Sequence, residues 1–293
     1  MRTTSLKPNL RIFGAAASLG LLSLSTPVAA SVITGGDAVD LGSADSVLDI
    51  VFTIDTSGSM GDDINAIGSV ASNVITNLNC PDIDVYVRAR FMGITGTRGI
   101  FNETVSAYVS GLGETPVSNS SEDNGPAVTD ISNHYEWHQG IGDLTGKDLY
   151  RAVVAIGDEG TENGQPVTQA DWDAAVAANS AAIANDVFLF SWVTDDPFTN
   201  VIPLFEKMAI GGDPVSGFTG SGFTGADCQD TGGTYVQQGS GDSAAVSTAL
   251  QDIICTAGGG GTGGTTPVPG TTALLGGSLL GWLALRRRRH TRA

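Results

Sequence analysis

Oxygen-bearing side chains are concentrated between Val51 and Asp63, where the sequence is VFTIDTSGSMGDD. Asp55, Ser57 and Ser59 alternate along this stretch, directly after an apolar run. In an extended turn, this spacing allows one carboxylate and two hydroxyls to point the same way. Hard cations such as Mg²⁺ bind such oxygen ligands and keep several waters. Strand-to-helix junctions also favour Asp, Ser and Gly for turn geometry and helix capping, so the stretch alone leaves both interpretations open.

A phosphate-binding loop is excluded by spacing. Such a loop requires the pattern GxxxxGK[ST] at the start of a helix. The sequence contains one Gly-Lys pair, Gly146 and Lys147. Ile141 stands where the first glycine is required, and Asp148 stands where Ser or Thr must follow.

Nucleophilic catalysis is also not expected. A nucleophile elbow requires GxSxG, with an acid and then a histidine later in the chain. Ser59 lies in SGSMG, where the first glycine is displaced by one position. His290 lies in the C-terminal tail, and the other two histidines precede the acids that end the later strands. A metal-assisted hydrolase would lack a well-placed general base, so the sequence predicts a protein that is not an enzyme.

His134 and His138 in HYEWH have a spacing that could hold zinc on one face of a helix. The segment lacks the HExxH pattern of zinc proteases. We expect a surface connector in which Trp137 packs onto the domain.

The elements that position these residues follow from alternating patterns. From Ser46 onward, apolar strand-like runs alternate with amphipathic or alanine-rich helical stretches, which predicts an α/β fold with a doubly wound, mostly parallel central sheet flanked by helices. Ligands of such sheets bind at the carboxyl ends of the strands, where Asp55, Asp158 and Asp195 are expected. The predicted strands are SVLDIVFTID, IDVYVRARFMGI, TVSAYVSG, LYRAVVAIGD, VFLFSWVTD and TYVQQG.

Two of these segments resemble a known family. DIVFTIDTSGSM resembles the start of the von Willebrand factor type A (VWA) domain, whose metal-ion-dependent adhesion site has the pattern Asp-x-Ser-x-Ser. AVVAIGDEG is similar to the later strand that ends in the metal-site Asp, with Gly157-Asp158-Glu159 in place of the usual Thr-Asp-Gly. The resemblance covers residues 46–257 and implies a Rossmann-like VWA fold.

The resemblance also implies the ligands of the cation. Ser57 and Ser59 would bind it directly, and Asp55 and Asp158 would bind it through water. The implied ion is Mg²⁺, and Mn²⁺ and Ca²⁺ are the alternatives. A protein or extracellular matrix ligand would then complete the metal's coordination shell with an acidic side chain or another oxygen.

A further ligand is expected from the loop between these motifs, where the family places a threonine. Here the loop is SNSSEDNGPAVTDI, which puts Glu122 or Ser121 at that position, while Thr129 falls deep in the following helix. A carboxylate from Glu122 would add negative charge, tighten cation binding and weaken the metal's attraction for a partner's carboxylate.

The chain has three cysteines and no CxxC or Cys/His spacing that would indicate zinc. One disulfide and one free thiol is the simplest arrangement for an exported protein. In the family that the chain resembles, the first and last helices are neighbours, which implies a Cys80–Cys255 bridge. Cys228 could replace Cys80 as the partner.

Charge separates the two ends from the body. Residues 1–30 hold three basic residues, the last eight hold five, and neither end has an acid. Six basic residues remain against all 31 acids, a formal charge of −25 for the body. Nucleic-acid binding is therefore not expected, because phosphate contacts need clustered Lys and Arg. The basic start, apolar run and small residues before residue 31 predict a signal peptide, residues 1–30.

The C-terminal region has the layout of a sorting signal or membrane anchor. Residues 258–270 form a Gly/Thr/Pro-rich linker, and residues 271–293 combine a short apolar span with an arginine-rich tail. This layout resembles the PEP-CTERM signals of Gram-negative bacteria, which an exosortase-like protease processes, although PVPG at 267–270 lacks the Glu-Pro. A Gly-Gly signal for a rhomboid-like protease and a plain anchor are the alternatives.

Together these features predict an exported protein directed to the cell surface or outer envelope, held at least transiently by its C-terminal span. Its function would be cation-dependent binding of a protein or matrix ligand. The alternative is a structural protein of the envelope or exopolysaccharide matrix, in which the metal only stabilises the fold.

Overall fold

The computed structural model describes residues 32–259, apart from 39, 82, 99–100, 195–197, 213–221 and 240–241. The predicted signal peptide and the predicted C-terminal span lie outside the described residues, as does nearly all of the predicted linker and the strand-end Asp195. In the part of the chain that the structure describes, no helix has the length and apolar character needed to cross a membrane.

A six-stranded sheet lies between two layers of helices, which confirms the predicted doubly wound α/β fold. The strand order is β1-β3-β2-β4-β5-β6, and all neighbours are parallel except β1, which runs antiparallel to β3. Helices α1 and α6 cover one face, and α2 to α5 cover the other. In chain order the elements are β1 Val32–Gly36, β2 Ser46–Ile54, α1 Gly61–Thr76, β3 Val85–Gly93, α2 Val105–Gly111, α3 Asn124–His134, β4 Asp148–Gly157, α4 Gln169–Ala184, β5 Phe188–Val193, α5 Val201–Ile210, β6 Tyr235–Gln237 and α6 Ser243–Gly258.

Strand β2 is buried along its whole length because it has parallel neighbours on both sides and helices on both faces. Its side chains alternate between the two cores, so that Phe52 packs in the core beneath α1 and α6 while Val51 packs in the core beneath α3. The one acid in this strand, Asp49, is fully buried and forms an ion pair with Arg88. Burial on both faces therefore explains why this strand is largely apolar.

His134 is the last residue of α3, and the connector that follows it, which carries His138, closes over this ion pair. The backbone N–H of His138 donates to Asp49 (2.7 Å), and the His138 ring lies 3.0 Å from the carbonyl oxygen of Tyr150. Trp137 packs against the ring of Tyr135, which is buried. The segment thus covers the buried ion pair of Asp49 and Arg88.

One sequence prediction about the fold is wrong. The segment TVSAYVSG forms helix α2 instead of a strand, because the Thr104 hydroxyl caps it by accepting from the Ala107 N–H (3.1 Å). Val105 and Val109, four residues apart, then bury the same helix face. The sheet also includes β1, which precedes the predicted boundary at Ser46 and pairs with β3.

Cys80 and Cys255 form a disulfide, the pairing that the family resemblance implies, and Cys228 is a buried free thiol. The bridge joins the chain just after α1 to the last turn of α6, and these two helices pack against each other on the same face of the sheet. It lies at the end of α1 opposite to Asp55, so it closes the body of the domain far from the strand-end acids.

Removing this disulfide should lower the free energy of unfolding by about 5 kcal/mol, because the bridge spans 175 positions and restrains the unfolded chain. The variant is Cys80→Ser with Cys255→Ser, measured by urea unfolding in oxidising buffer. Cys228→Ala is the control and should cost much less. An equal loss in the control would contradict the entropic explanation.

Candidate metal centre

The strand-end acids Asp55 and Asp158 lie where the strand order of the sheet reverses. The chain passes from β2 to β3 on one side and from β4 to β5 on the other, so the crevice at the carboxyl ends of β2 and β4 is a topological switch point. Ile54 pairs with Ile156, and the Asp55 N–H donates to the Ile156 carbonyl (2.9 Å). Asp55 and Asp158 therefore follow two adjacent, aligned strands.

The β2–α1 loop turns around the carboxylate of Asp55. One oxygen, Oδ1, accepts from the Ser57 N–H (2.6 Å), and the hydroxyls of Ser57 and Ser59 lie 2.9 Å apart. Asp55 is fully buried and Ser57 nearly so, whereas Ser59 is exposed. The two hydroxyls therefore form a pair that reaches from the protein interior to the surface.

The other oxygen of Asp55, Oδ2, is buried and has no hydrogen-bond partner. An unpaired buried carboxylate oxygen is costly, and a cation or a cation-bound water would satisfy it. This buried oxygen without a partner is the observation in this region that best supports a cation site. Two hydroxyls, this carboxylate and Asp158 form an oxygen donor set of the kind that hard cations use.

The loop before α3 lies beside the β2–α1 loop, as the Thr56 N–H donates to the Ser121 carbonyl (3.2 Å). Asp123 shapes it by accepting from the N–H groups of Asn119 and Ser120 at 2.8 and 2.7 Å. This arrangement carries Glu122 towards Asp158, whose charge contributes to the raised pKa of Glu122.

Of the three alternatives for the loop position, Thr129 lies away from this loop. Its hydroxyl donates to the Gly125 carbonyl (3.1 Å) within α3. Ser121 contributes a backbone carbonyl to the Thr56 N–H. Glu122 is therefore the alternative whose side chain is coupled to the strand-end acids.

Negative charge accumulates at this edge. Burial raises the pKa of Asp55 to about 8, and the charges of Asp158 and Glu122 add to that shift. Burial also raises the pKa of Glu122 and of Glu159, and neighbouring carboxylates raise both further. The ion pairs found among the described residues join other carboxylates: Asp49, Glu103 and Asp227.

Two residues that the sequence did not single out also belong to this region. Glu159 follows Asp158 directly, and its position in the strand-end motif was the available signal. The guanidinium of Arg98, from the segment after β3, donates to the carbonyl oxygens of Thr56 and Ser57 and braces the β2–α1 loop. No local pattern indicated Arg98, because its contact depends on the tertiary fold.

The predicted ligands do not form a cage of charged groups. Across the described ranges, no group of three or more His, Cys, Asp and Glu side chains is arranged to hold an ion directly. The donor set instead combines two hydroxyls with carboxylates, an arrangement that suits a cation retaining water molecules.

Comparison with known proteins found no match, so a function has to be argued from the sequence and this geometry. No protein-family model matches the chain, no curated protein matches it, and no solved structure matches it.

The raised pKa of Asp55 predicts how the stability of the metal-free protein depends on pH. The folded state keeps a proton on Asp55 up to about pH 8, whereas the unfolded state releases it near the ordinary value of 3.8. The folded state thus binds more protons in this window, and its stability should fall as pH rises from about 4 to about 8.

Urea unfolding in EDTA at pH 5 and pH 8 measures this dependence, and Asp55→Asn should reduce it because the variant cannot ionise there. Adding Mg²⁺ at pH 8 should restore stability to the original protein more than to the variant. The same pH dependence in both proteins would contradict the assignment to Asp55.

Proposed function

We propose that this chain is an exported VWA-type binding module that takes up one divalent cation at the carboxyl ends of β2 and β4 and binds a protein or matrix ligand through it. The observation that carries the proposal is the buried, unpartnered Oδ2 of Asp55 beside the paired hydroxyls of Ser57 and Ser59. The ion is a hard cation of the Mg²⁺ class, and Mn²⁺ and Ca²⁺ share its preference for oxygen.

Each residue of the centre has a distinct role in this proposal. Ser57 and Ser59 supply neutral oxygens, and Asp55 and Asp158 hold the cation through water. Asp55 also fixes the turn by accepting from the Ser57 N–H, and Arg98 holds the Ser57 carbonyl. When bound, the cation supplies a position at which an oxygen atom of the partner can bind. Exposed Ser59 lies at the surface, where a partner can approach.

Export and surface attachment are part of the same proposal. They are supported by the predicted signal peptide at residues 1–30 and by the apolar span and arginine-rich tail at residues 271–293. An exosortase-like protease would act on that tail. Mass spectrometry of the mature chain would locate both ends, and an intact residue 1 would contradict export through cleavage.

A purely structural role is the second candidate, and the burial of Asp55 favours it. A cation that compensates a fully buried carboxylate stabilises the surrounding loops whether or not a partner binds. In this case the protein would serve in the envelope or exopolysaccharide matrix, and cation removal would affect stability only.

Cation removal distinguishes the two candidates. Immobilised protein should capture its partner from an envelope and matrix extract in Mg²⁺, lose it in EDTA and regain it when Mg²⁺ is restored. The Ser57→Ala, Ser59→Ala double variant should capture little, because it lacks both hydroxyls. Ser69→Ala is the matched control, since its hydroxyl bonds within α1 to the Ala66 carbonyl. A lower melting temperature in EDTA with unchanged capture would favour the structural role.

Replacing Glu122 tests the loop ligand. Glu122→Ala should weaken cation binding about tenfold, because a carboxylate close to the ion is lost. Isothermal titration calorimetry with Mg²⁺ and Mn²⁺ measures the change. Glu114→Ala, an exposed acid before the same loop, is the control and should bind as the original protein does. Unchanged affinity in Glu122→Ala would mean that Glu122 is not a ligand.

A further inference from the structure

Two carboxylates from different loops converge beside Gly164. Gly164 has a φ of +79°, and a Cβ atom built on it would lie 2.6 Å from Oε2 of Glu159 and closer still to Oε2 of Glu122. Glu122 precedes α3, whereas Glu159 follows β4. The space beside the two carboxylates therefore accommodates a glycine and no larger residue.

The surrounding backbone holds these loops together. The Gly125 N–H donates to the Thr161 carbonyl (2.9 Å), and the Asn163 N–H donates to Asp123 (3.2 Å). The Glu162 N–H donates to Asp171 of α4 (2.9 Å). The backbone segments that carry Glu122 and Glu159 therefore cannot separate without breaking these hydrogen bonds.

Neither carboxylate is neutralised by its surroundings. Among the described residues, neither Glu122 nor Glu159 belongs to an ion pair, and neither side chain accepts a hydrogen bond from its neighbours. Like charges held this close repel each other, and the interaction strengthens as water is excluded. A cation between or beside them removes that repulsion.

The buried Oδ2 of Asp55 independently indicates that a ligand belongs at this edge. It has no hydrogen-bond partner, Asp55 is fully buried, and its charge interacts with those of Asp158 and Glu122. The orphaned oxygen and the converging glutamates therefore belong to one electrostatic unit, although they come from three separate loops.

The number of carboxylates in this unit discriminates between cations. Mg²⁺ keeps several waters in a strict octahedron and is held by one or two carboxylates, whereas Ca²⁺ takes about 6–8 oxygens in flexible geometry and accepts more carboxylates. Asp55 and Asp158 act through water, so Glu122, Glu159 and the two serine hydroxyls are the oxygens available for direct contact. Each glutamate can bind with one or two oxygens, and together they would occupy positions that Mg²⁺ leaves to water.

We propose that Glu159 is a further ligand of the cation and that, together with Glu122, it makes this centre selective for Ca²⁺ over Mg²⁺. This inference rests on the proposed cation-binding function and adds the identity of the ion. It also assigns a role to Glu159, which stands where the VWA motif that the chain resembles has a glycine.

Calorimetric titration of the metal-stripped full chain with Ca²⁺ and, separately, with Mg²⁺ tests the inference. The original protein should bind Ca²⁺ at least about tenfold more tightly than Mg²⁺. Glu159→Gln should weaken Ca²⁺ binding about tenfold and Mg²⁺ binding much less, which reduces the selectivity. Glu162→Gln is the matched control on the same loop, because its charge interacts with Asp123, Asp171 and Asp173 and not with the strand-end acids.

A glycine pair provides a second test that leaves every carboxylate in place. Gly164→Ala should weaken Ca²⁺ binding, because its Cβ displaces both glutamates. Gly146→Ala introduces the same left-handed strain at a φ of +75° with nothing within 4 Å, so it should leave Ca²⁺ affinity unchanged. Thermal unfolding of both variants separates lost affinity from lost folding.

The outcomes distinguish this inference from the function on which it rests. The inference would be overturned if the original protein bound Mg²⁺ more tightly than Ca²⁺. It would also be overturned if Glu159→Gln had the same Ca²⁺ and Mg²⁺ affinities as the original protein. Either result would leave the proposed cation site standing. Binding of neither ion by the original protein would overturn both.

Discussion

The parallel pairing of β2 with β4 is the constraint on which the rest of the centre depends. Ile54 lies opposite Ile156, and the hydrogen bond from the Asp55 N–H to the Ile156 carbonyl carries this register one residue beyond the end of β2. Because a parallel pair brings two carboxyl ends to one edge, Asp55 and Asp158 become neighbours although they are far apart in the chain. A shift by one residue would turn Asp55 to the other face of the sheet and dissolve the arrangement.

The positions of the cationic side chains are equally important for the charge of the centre. The body has few of them, and several are engaged elsewhere: Arg88 with Asp49, Arg90 with Glu103 and Lys207 with Asp227. Arg98 approaches the centre, but it binds backbone carbonyls of the β2–α1 loop. Glu122 and Glu159 therefore converge beside Gly164 without a counter-charge among the described residues, and their mutual repulsion favours an external cation.

Much of the fold followed from local patterns because each pattern had a local physical cause. The largely apolar run of β2 indicated burial on both faces, and the amphipathic stretch that follows Asp63 indicated one buried helix face, which α1 has. Two elements were missed for equally physical reasons. Helix α2 contains β-branched residues that favour a strand, but the Thr104 cap and the burial of Val105 and Val109 decided for a helix. Strand β1 is short and glycine-rich, and its pairing with β3 stabilises it.

The sequence by itself determined the alternation of elements, the Asp-x-Ser-x-Ser stretch at the end of a buried strand, and the acid at the end of a second strand. These features depend on side-chain periodicity and neighbouring residues, so they are visible along the chain. Only the tertiary structure decided that Glu122 and Glu159 converge beside Gly164, that Arg98 braces the β2–α1 loop, and that Oδ2 of Asp55 has no partner. Each of these depends on the distance between segments that are remote in sequence, and packing of the whole domain sets that distance.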